Sequence, residues 1–353
     1  MKKLSRLSKS SFVNYGIVLL FFVIFQTLDS THNLKSSFSG QLIPICCYVI
    51  MALSLNLVVG ISGELSLGHA GFMSVGAFTG VIVAGCLKES LPVDAARLIL
   101  AILIGAIFAA IAGVLIGIPV LRLRGDYLAI VTLAFGEIIK NVLNCLYVGV
   151  DGKGLHFSLT DAEHMHMTED GKILINGPMG AVGVTKISTF LAATVMVLIT
   201  LFVIQNLIKS RSGRAIMAIR DNRIAAEASG INITKYKLIA FVTSAALAGA
   251  AGALYALNYS TIVPKKFDFN TSILILVFVV LGGIGNIRGS IIAAAILTVL
   301  PELLRAFSDY RMLVYAIVLI LVMIITNNEK AKLFMGKILR KIKMWRASHE
   351  QRK

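Results

Sequence analysis

Apolar stretches long enough to cross a lipid bilayer recur along almost the whole chain. A transmembrane helix needs about 20 predominantly apolar residues. Hydrophobic residues fill 57% of the 353 positions and charged residues only 15%, which is too little charge to cover a soluble protein of this size. We therefore predict an all-α fold, a polytopic bundle of membrane helices. Ten spans are predicted, at 12–28, 41–60, 66–87, 97–119, 127–148, 188–208, 237–260, 270–284, 289–307 and 311–326.

Basic residues cluster beside the apolar spans, at the N-terminus, in an island at 209–237 and in a tail at 329–353. Such clusters are retained on the cytoplasmic side and attract anionic lipid, so the net charge of +16 does not indicate nucleic-acid binding. Ten spans place both termini on that side. The segment 149–187, with five acidic residues against three lysines, is predicted to be external. We take 1–328 as one transmembrane domain and 329–353 as a cytoplasmic tail.

The basic island reads KSRSGRAIMAIRDNRIAAEASGINITKYK and contains seven basic residues and two acids. Asp221 and Asn222 are suited to cap a helix start, and Gly230 is placed to end the helix in the left-handed conformation. A short capped helix between two spans is typical of a docking element, and the alternative is a simple linker.

Polar residues at membrane depth are few. His69 lies in GISGELSLGHAGF (60–72), where glycine and serine leave the backbone accessible, and it is either a pathway residue or a capping and packing residue. Glu137 and Lys140 are three positions apart in AFGEIIKN (134–141) and either neutralise each other or contribute to a pathway. The glycines of 66–87 and the short apolar run of 270–284 leave room for a broken or re-entrant helix.

Small residues recur every four positions in two of the spans. Such faces let helix backbones approach closely inside a membrane, either for static packing or for sliding during transport. The first face consists of Gly105, Ala109, Gly113 and Gly117. The second consists of Ala245, Gly249 and Ala253, with Ala248, Gly252 and Ala256 beside it.

The sequence lacks the patterns of an enzyme or of an ion-driven carrier. It contains no GxxxxGK[ST] phosphate loop, no HExxH and no series of acidic residues through the spans. The four cysteines lie in apolar segments and are predicted to be small buried hydrophobes. The run His164–Met167 is predicted to be a solvated loop rather than a copper or zinc site. We therefore expect no cofactor, no metal site and no enzymatic activity, and a transport protein that is powered from outside the chain.

Four long blocks of this sequence strongly resemble the inner-membrane permease subunits of branched-chain amino-acid ABC importers, the M-type subunit most of all. They are LNLVVGISGELSLGHAGFMSVGAF (55–78), LRLRGDYLAIVTLAFGEIIKNV (121–142), SRSGRAIMAIRDNRIAAEASGINITKYKLIAFVTSAALAGAAGALYA (210–256) and LVFVVLGGIGNIRGSIIAAAIL (276–297). Urea ABC permeases are the nearest alternative. A stand-alone carrier or channel and a membrane enzyme remain as alternatives of other classes.

The resemblance implies a multi-pass protein of the bacterial inner membrane that works by alternating access. Its partners would be a homologous permease, two ABC ATPase subunits and a periplasmic binding protein that delivers leucine, isoleucine or valine. The island helix would be the coupling helix that contacts an ATPase, with contact residues Arg223, Ala225, Ala226, Glu227, Ala228 and Gly230. The pathway candidates are Ser66, Gly68, His69, Glu137, Gly282 and Gly283.

The sequence departs from the family pattern in two places. The general ABC permease signature has Glu-Ala-Ala, three further residues and Gly. Here Ala225, Ala226 and Gly230 match it, but Ile224 occupies the position of the Glu, and Glu227 is displaced. A segment at 151–175 is inserted before Asn176-Gly177-Pro178 and is expected to change the external surface to which a binding protein would dock.

Overall fold

The structure is a computed structural model that describes residues 2–31, 36–88, 90–121, 127–152, 154–161, 165, 171–304, 310, 313–314, 316–317 and 319–320. Residues 1–296 form one compact unit and residues 297–353 a second one. The contacts discussed below belong to the first unit. The tail at 329–353, residues 122–126 and most of the last predicted span lie outside the described residues.

The described chain is mostly helical. Its helices are α1 (Lys2–Ser30), α2 (Ser36–Ser39), α3 (Leu42–Asn56), α4 (His69–Cys86), α5 (Asp94–Val120), α6 (Tyr127–Asn144), α7 (Phe190–Lys209), α8 (Arg211–Asp221), α9 (Arg223–Ala228), α10 (Ile233–Ala256), α11 (Phe269–Gly282) and α12 (Ile287–Leu303). A π-helix over Leu57–Ser62 continues α3. Short 3₁₀ turns cover Gly177–Met179 and Pro264–Phe267.

Six helical segments within the described residues are long and apolar enough to cross a membrane, namely Leu42–Ser62, α4, α5, α6, α7 and α10. Two predicted spans, 12–28 and 270–284, correspond to shorter apolar helices over Val13–Leu28 and Phe269–Gly282. The prediction of a polytopic helical membrane protein is confirmed. The total of ten spans stays a prediction.

Helix α10 is packed between α4 and α5, and small residues make this packing possible. A Cβ atom added to Gly249 would lie 2.3 Å from Cβ of Ala109, and one added to Gly76 would lie 2.0 Å from the carbonyl oxygen of Gly249. Gly252 of α10 also lies against α4, at the carbonyl oxygen of Met73. Both predicted small-residue faces therefore lie in tight helix contacts within this chain.

One end of the bundle carries strands, and we call it the sheet end. Strands β1 (Tyr147–Asp151), β2 (Gly154–Ser158) and β3 (Lys172–Asn176) form an antiparallel sheet in the order β2-β1-β3, and β4 (Ala181–Val182) pairs with β5 (Thr261–Ile262). The insertion thus contributes most of a small sheet. Helix α6 ends at Asn144, earlier than the predicted 148, because Tyr147 already pairs with Ser158 and Asn176.

Two sequence predictions near the sheet end are wrong in detail. Cys46 and Cys47 are buried, but Cys86 is half-buried and Cys145 is exposed, since it follows the last turn of α6. In the run His164–Met167 only Met165 is described, and it is 3% exposed rather than solvated. Among the described residues, no three His, Cys, Asp or Glu side chains are close enough together to hold a metal ion.

Candidate functional site

The short helix α9 begins as the sequence predicts, at Asn222. The Oδ1 atom of Asn222 accepts the backbone N–H of Ala225 at 3.0 Å, which satisfies one of the free donors of the first turn. Asp221 does not cap α9, because it ends the separate helix α8 and its carboxylate accepts hydrogen bonds from Arg220. Helix α8 was not predicted, and it is capped by Ser210, whose Oγ accepts the N–H of Gly213 at 3.0 Å.

The end of α9 is equally well defined. Gly230 has φ +79°, and its N–H donates to the carbonyl of Glu227 at 2.9 Å, while the N–H of Ile231 donates to that of Ala226 at 3.1 Å. This pair of hydrogen bonds is the Schellman motif, in which a glycine in the left-handed region closes the helix. The predicted role of Gly230 as the residue that ends the helix is confirmed.

The two sides of α9 differ in what they contact. Ala226 is 4% exposed and packs with Ile219 of α8 and Ile233 of α10, and Ile231 and Tyr236 pack against this cluster. On the outer side, Ala225, Glu227 and Ala228 are exposed, and Arg223 is half-buried. Ile224 is 81% exposed, so a large apolar side chain projects into solvent from a helix that is fixed at both ends.

The π-helix leads through the non-helical residues 63–68 to α4. We call residues 60–69, from the end of the π-helix to the first residue of α4, the linking segment. Its Gly68 lies against α6, where an added Cβ would be 1.9 Å from the carbonyl oxygen of Thr132, and the N–H of Leu67 donates to Thr132 Oγ1 at 3.1 Å. Ser66 is 1% exposed, and its Oγ has no hydrogen-bond partner among the described residues. A buried hydroxyl without a partner in the protein is uncommon, and this distinguishes Ser66 from the other residues of the segment.

His69 begins α4 and connects it to α3. It is 2% exposed, and its Nε2 lies 2.7 Å from Ser54 Oγ. Ser54 Oγ also lies within hydrogen-bond distance of the carbonyl oxygen of Met51, at 2.9 Å. Ser244 of α10 donates to the carbonyl of Ser54 at 2.5 Å, so three helices meet at this point.

The glycine turn between α11 and α12 meets the linking segment. Gly283 and Gly285 have φ of +91° and +80°, and a Cβ on Gly282 would lie 2.4 Å from the carbonyl carbon of Gly289. A Cβ on Gly60 would lie 2.3 Å from the backbone nitrogen of Gly285. The glycine turn that contains Gly282 and Gly283 thus contacts the linking segment at Gly60, whereas Gly68 lies against Thr132 of α6.

Glu137 is not part of this group. Its carboxylate forms an ion pair with Lys140 and accepts the backbone N–H of Phe269 at 3.3 Å, at the first turn of α11. Asp268 caps the same helix by accepting the N–H of Thr271 at 2.9 Å. Partial burial acts to raise the pKa of Asp268, but the hydrogen bonds from Thr271 and Asn270 and the charge of Lys140 outweigh it, so the pKa lies below its usual value.

Four residues of this region were missed by the sequence predictions: Asn56, Glu64, Arg220 and Lys237. Asn56 had a signal, since it is a polar residue within an apolar span. Arg220 contacts Gly60 across 160 positions, and Lys237 contacts Glu64 across 173 positions. No local sequence pattern reveals contacts of this length.

Comparison with known proteins agrees with this architecture, which is that of a polytopic membrane permease. The profile of the family described as branched-chain amino acid transport system / permease component matches residues 38–325, and the chain belongs to this family. It is a multi-pass inner-membrane protein.

The relatives include permeases for branched-chain amino acids and for ribose. The chain is 39% identical over 298 residues to the high-affinity branched-chain amino acid transport system permease protein LivM of Escherichia coli (strain K12), covering 78% of this chain and 66% of that protein. It is 26% identical over 272 residues to a probable branched-chain amino acid permease of Methanocaldococcus jannaschii, covering 69% and 74%. It is 29% identical over 296 residues to the ribose import permease RbsC of Escherichia coli (strain K12), covering 80% and 82%.

Proposed function

We propose that this chain is the membrane-spanning permease subunit of an ATP-driven ABC importer of branched-chain amino acids. Membership of the permease family and the 39% identity to an E. coli branched-chain amino acid permease support this function. A homologous permease would complete the membrane domain, two ABC ATPase subunits would supply the energy, and a periplasmic binding protein would deliver the substrate. ATP hydrolysis would then occur outside this chain.

We propose further that α9 is the docking element for an ATPase subunit, with both termini and the α9 end of the bundle in the cytoplasm. The observation that carries this proposal is Ile224, whose side chain is 81% exposed on a helix fixed at both ends. Exposed apolar anchors of this kind gain affinity when a partner buries them. Arg223, Ala225, Glu227 and Ala228 surround Ile224, while Ala226 and Gly230 hold the helix in shape.

For the translocation pathway we propose the linking segment and the glycine turn. Ser66 supplies a buried hydroxyl that has no partner in the described structure, and Gly68, Gly282 and Gly283 leave backbone groups close to neighbouring chain segments. His69 would hold α4 against α3 behind this path. Glu137, bound at the start of α11, would fix the helix whose other end forms the glycine turn.

Reconstitution tests the function. The chain, its partner permease, both ATPases and the binding protein are assembled in proteoliposomes, and ATP-dependent uptake of radiolabelled leucine is measured with isoleucine, valine, urea and ribose as competitors. We expect isoleucine and valine to compete and urea and ribose to have no effect. Competition by urea or ribose alone, or uptake by this chain without ATPases, would contradict the proposal.

Ile224→Glu tests the docking surface. We expect the variant to reach the membrane normally but to lose most ATPase association and uptake, because a charge replaces an apolar side chain that the partner must bury. Thr234→Glu, an exposed position in the first turn of α10, is the matched control and should behave like the parent. Ala226→Arg is a poorer probe, since Ala226 is buried and the substitution would disrupt the helix itself. Normal association of the Ile224→Glu variant would reject α9 as the docking element.

A further inference from the structure

Arg220 connects the end of α8 to the linking segment. Its Nη1 donates to the carbonyl of Gly60 in the π-helix at 2.9 Å, while its Nε and Nη2 both donate to Asp221 at 3.0 and 2.9 Å. The guanidinium is planar and rigid, so three hydrogen bonds fix its position. A Cβ on Gly63, which has φ +74°, would lie 2.7 Å from Cγ of Arg220, so the two chain segments are in close contact.

Lys237 connects the beginning of α10 to the same segment. It forms an ion pair with Glu64, and the two side chains are only 10% and 16% exposed. Removing one member of such a pair leaves a charge that is poorly hydrated and has lost its partner. This contact is therefore sensitive to the position of α10.

The two contacts lie on either side of α9 in the sequence and four positions apart on the linking segment. Arg220 lies in the last turn of α8, two residues before Asn222, which caps α9. Lys237 lies in the second turn of α10. Helix α9 packs against α8 and α10 through Ile219 and Ile233. A displacement of α9 thus reaches these two helices first, and each of them holds one end of Gly60–Glu64.

Both contacts are made to one short part of the linking segment, Gly60–Glu64. This part includes the end of the π-helix, a form that is rare and often located at functional sites. Gly60 also lies against Gly285, and the chain continues from Glu64 without a helix to Ser66 and His69. Movement of Gly60–Glu64 would therefore alter both parts of the proposed pathway.

We propose that Arg220 and Lys237 are positioning residues that form a two-point linkage, through which movement of α9 displaces the linking segment. The inference rests on the proposed function, because it requires an ATPase that moves α9. It adds a route from the docking helix to the pathway and names the two side chains that carry it.

The test measures the accessibility of one residue of the linking segment. Leu65, which is 41% exposed, is replaced by cysteine in a chain whose four native cysteines are changed to alanine. The labelling rate by a hydrophilic maleimide is compared between ATP-free and vanadate-trapped complexes that contain both ATPases. We expect trapping to change the rate at least about fivefold in the parent, the size of a typical coupling between sites. In Arg220→Gln with Lys237→Gln the change should fall below about twofold.

Two further variants separate linkage from general damage. Arg214→Gln removes an exposed arginine from the same helix α8 and should retain the full change in labelling. Lys237→Glu should lose the change, and the exchange Glu64→Lys with Lys237→Glu should restore it, because the ion pair is rebuilt with its charges reversed. ATPase association and thermal stability of every complex are measured in parallel.

Three outcomes would overturn the inference: no response to trapping in the parent, a full response in the Arg220→Gln, Lys237→Gln variant, or no recovery in the exchanged pair. The labelling does not depend on the transported substrate. If leucine uptake fails while labelling responds as expected, the proposed substrate is wrong and the linkage stands. If uptake succeeds and labelling is unaffected by the variants, only the linkage is rejected.

Discussion

Asn56 accepts the backbone N–H of Gly285 at 2.8 Å, across 229 positions of the chain, and it donates to Ser290 Oγ at 3.1 Å with the other atom of the same amide. One buried side chain of α3 thus holds both the glycine turn and the first turns of α12.

Asn56→Ala should therefore destabilise the protein. The substitution removes both hydrogen bonds and leaves the backbone N–H of Gly285 without its acceptor and the Oγ of Ser290 without this donor, at a cost of about 1–3 kcal/mol. The midpoint of thermal unfolding in detergent, followed by size-exclusion chromatography after heating, should fall clearly below that of the parent. Asn206→Ala, on the exposed side of α7, is the control and should change it little. An equal fall of the unfolding midpoint in the two variants would show that the hydrogen bond from Gly285 to Asn56 does not stabilise the protein specifically.

Asn222→Ala should loosen α9 without affecting the bundle. The loss of a capping asparagine costs about 1 kcal/mol, or roughly fivefold in the local opening equilibrium. Hydrogen exchange of the amides of Ala225 and Ala226 should rise by that factor. The matched control is Asn232→Ala, because Asn232 caps α10 through an identical 3.0 Å bond to the N–H of Lys235. Because α10 has 24 residues and is held by packing, Asn232→Ala should leave the hydrogen exchange of the α9 amides unchanged.

Gly249→Ala should be among the more damaging single-methyl changes in the bundle. The new Cβ would lie 2.3 Å from Cβ of Ala109 and 2.8 Å from the carbonyl oxygen of Gly105, so α5 and α10 must separate. Overpacking of this kind costs about 1–3 kcal/mol. Gly16→Ala in α1 has no atom within 4 Å of the added methyl and should be stabilising by up to about 1 kcal/mol. Thermal unfolding of both variants checks the prediction, and a similar sign of change in both would refute it.

Asp268 should make the stability of the fold depend on pH in the acidic range only. Because its pKa is lower in the folded protein than the ordinary value of about 3.9, the carboxylate stabilises the fold above that pH. This contribution is lost as the pH falls through the folded pKa. Asp268→Asn keeps a capping side chain but not the charge, so the stability difference between parent and variant should shrink between neutral pH and about pH 3. A difference that stays constant over this range would be inconsistent with a charged cap.

The sequence predicted the parts of the site that are determined locally. Asn222, the helix formers and Gly230 specify the start, body and end of α9 within ten positions, and the structure contains that helix. The small-residue faces around Gly249 were visible for the same reason, since helical spacing alone places them on one side.

Contacts between distant positions were not predictable in this way. Nothing in the sequence around Glu64 indicates Lys237 as its partner. Cys145 is exposed because α6 ends just before Tyr147, which pairs with residues 11 and 29 positions further on. The short strands of the insertion have too few residues for a periodic pattern to stand out.

The construction of α9 has an evolutionary consequence. Its cap, its closing glycine and its packing partners Ile219 and Ile233 all come from a single stretch of about fifteen residues. Its outward positions can therefore be exchanged by mutation without any adjustment of the membrane helices. In the proposed docking role, such a helix could acquire a new ATPase preference through changes at a few outward side chains, of which Ile224 is the most exposed large apolar one.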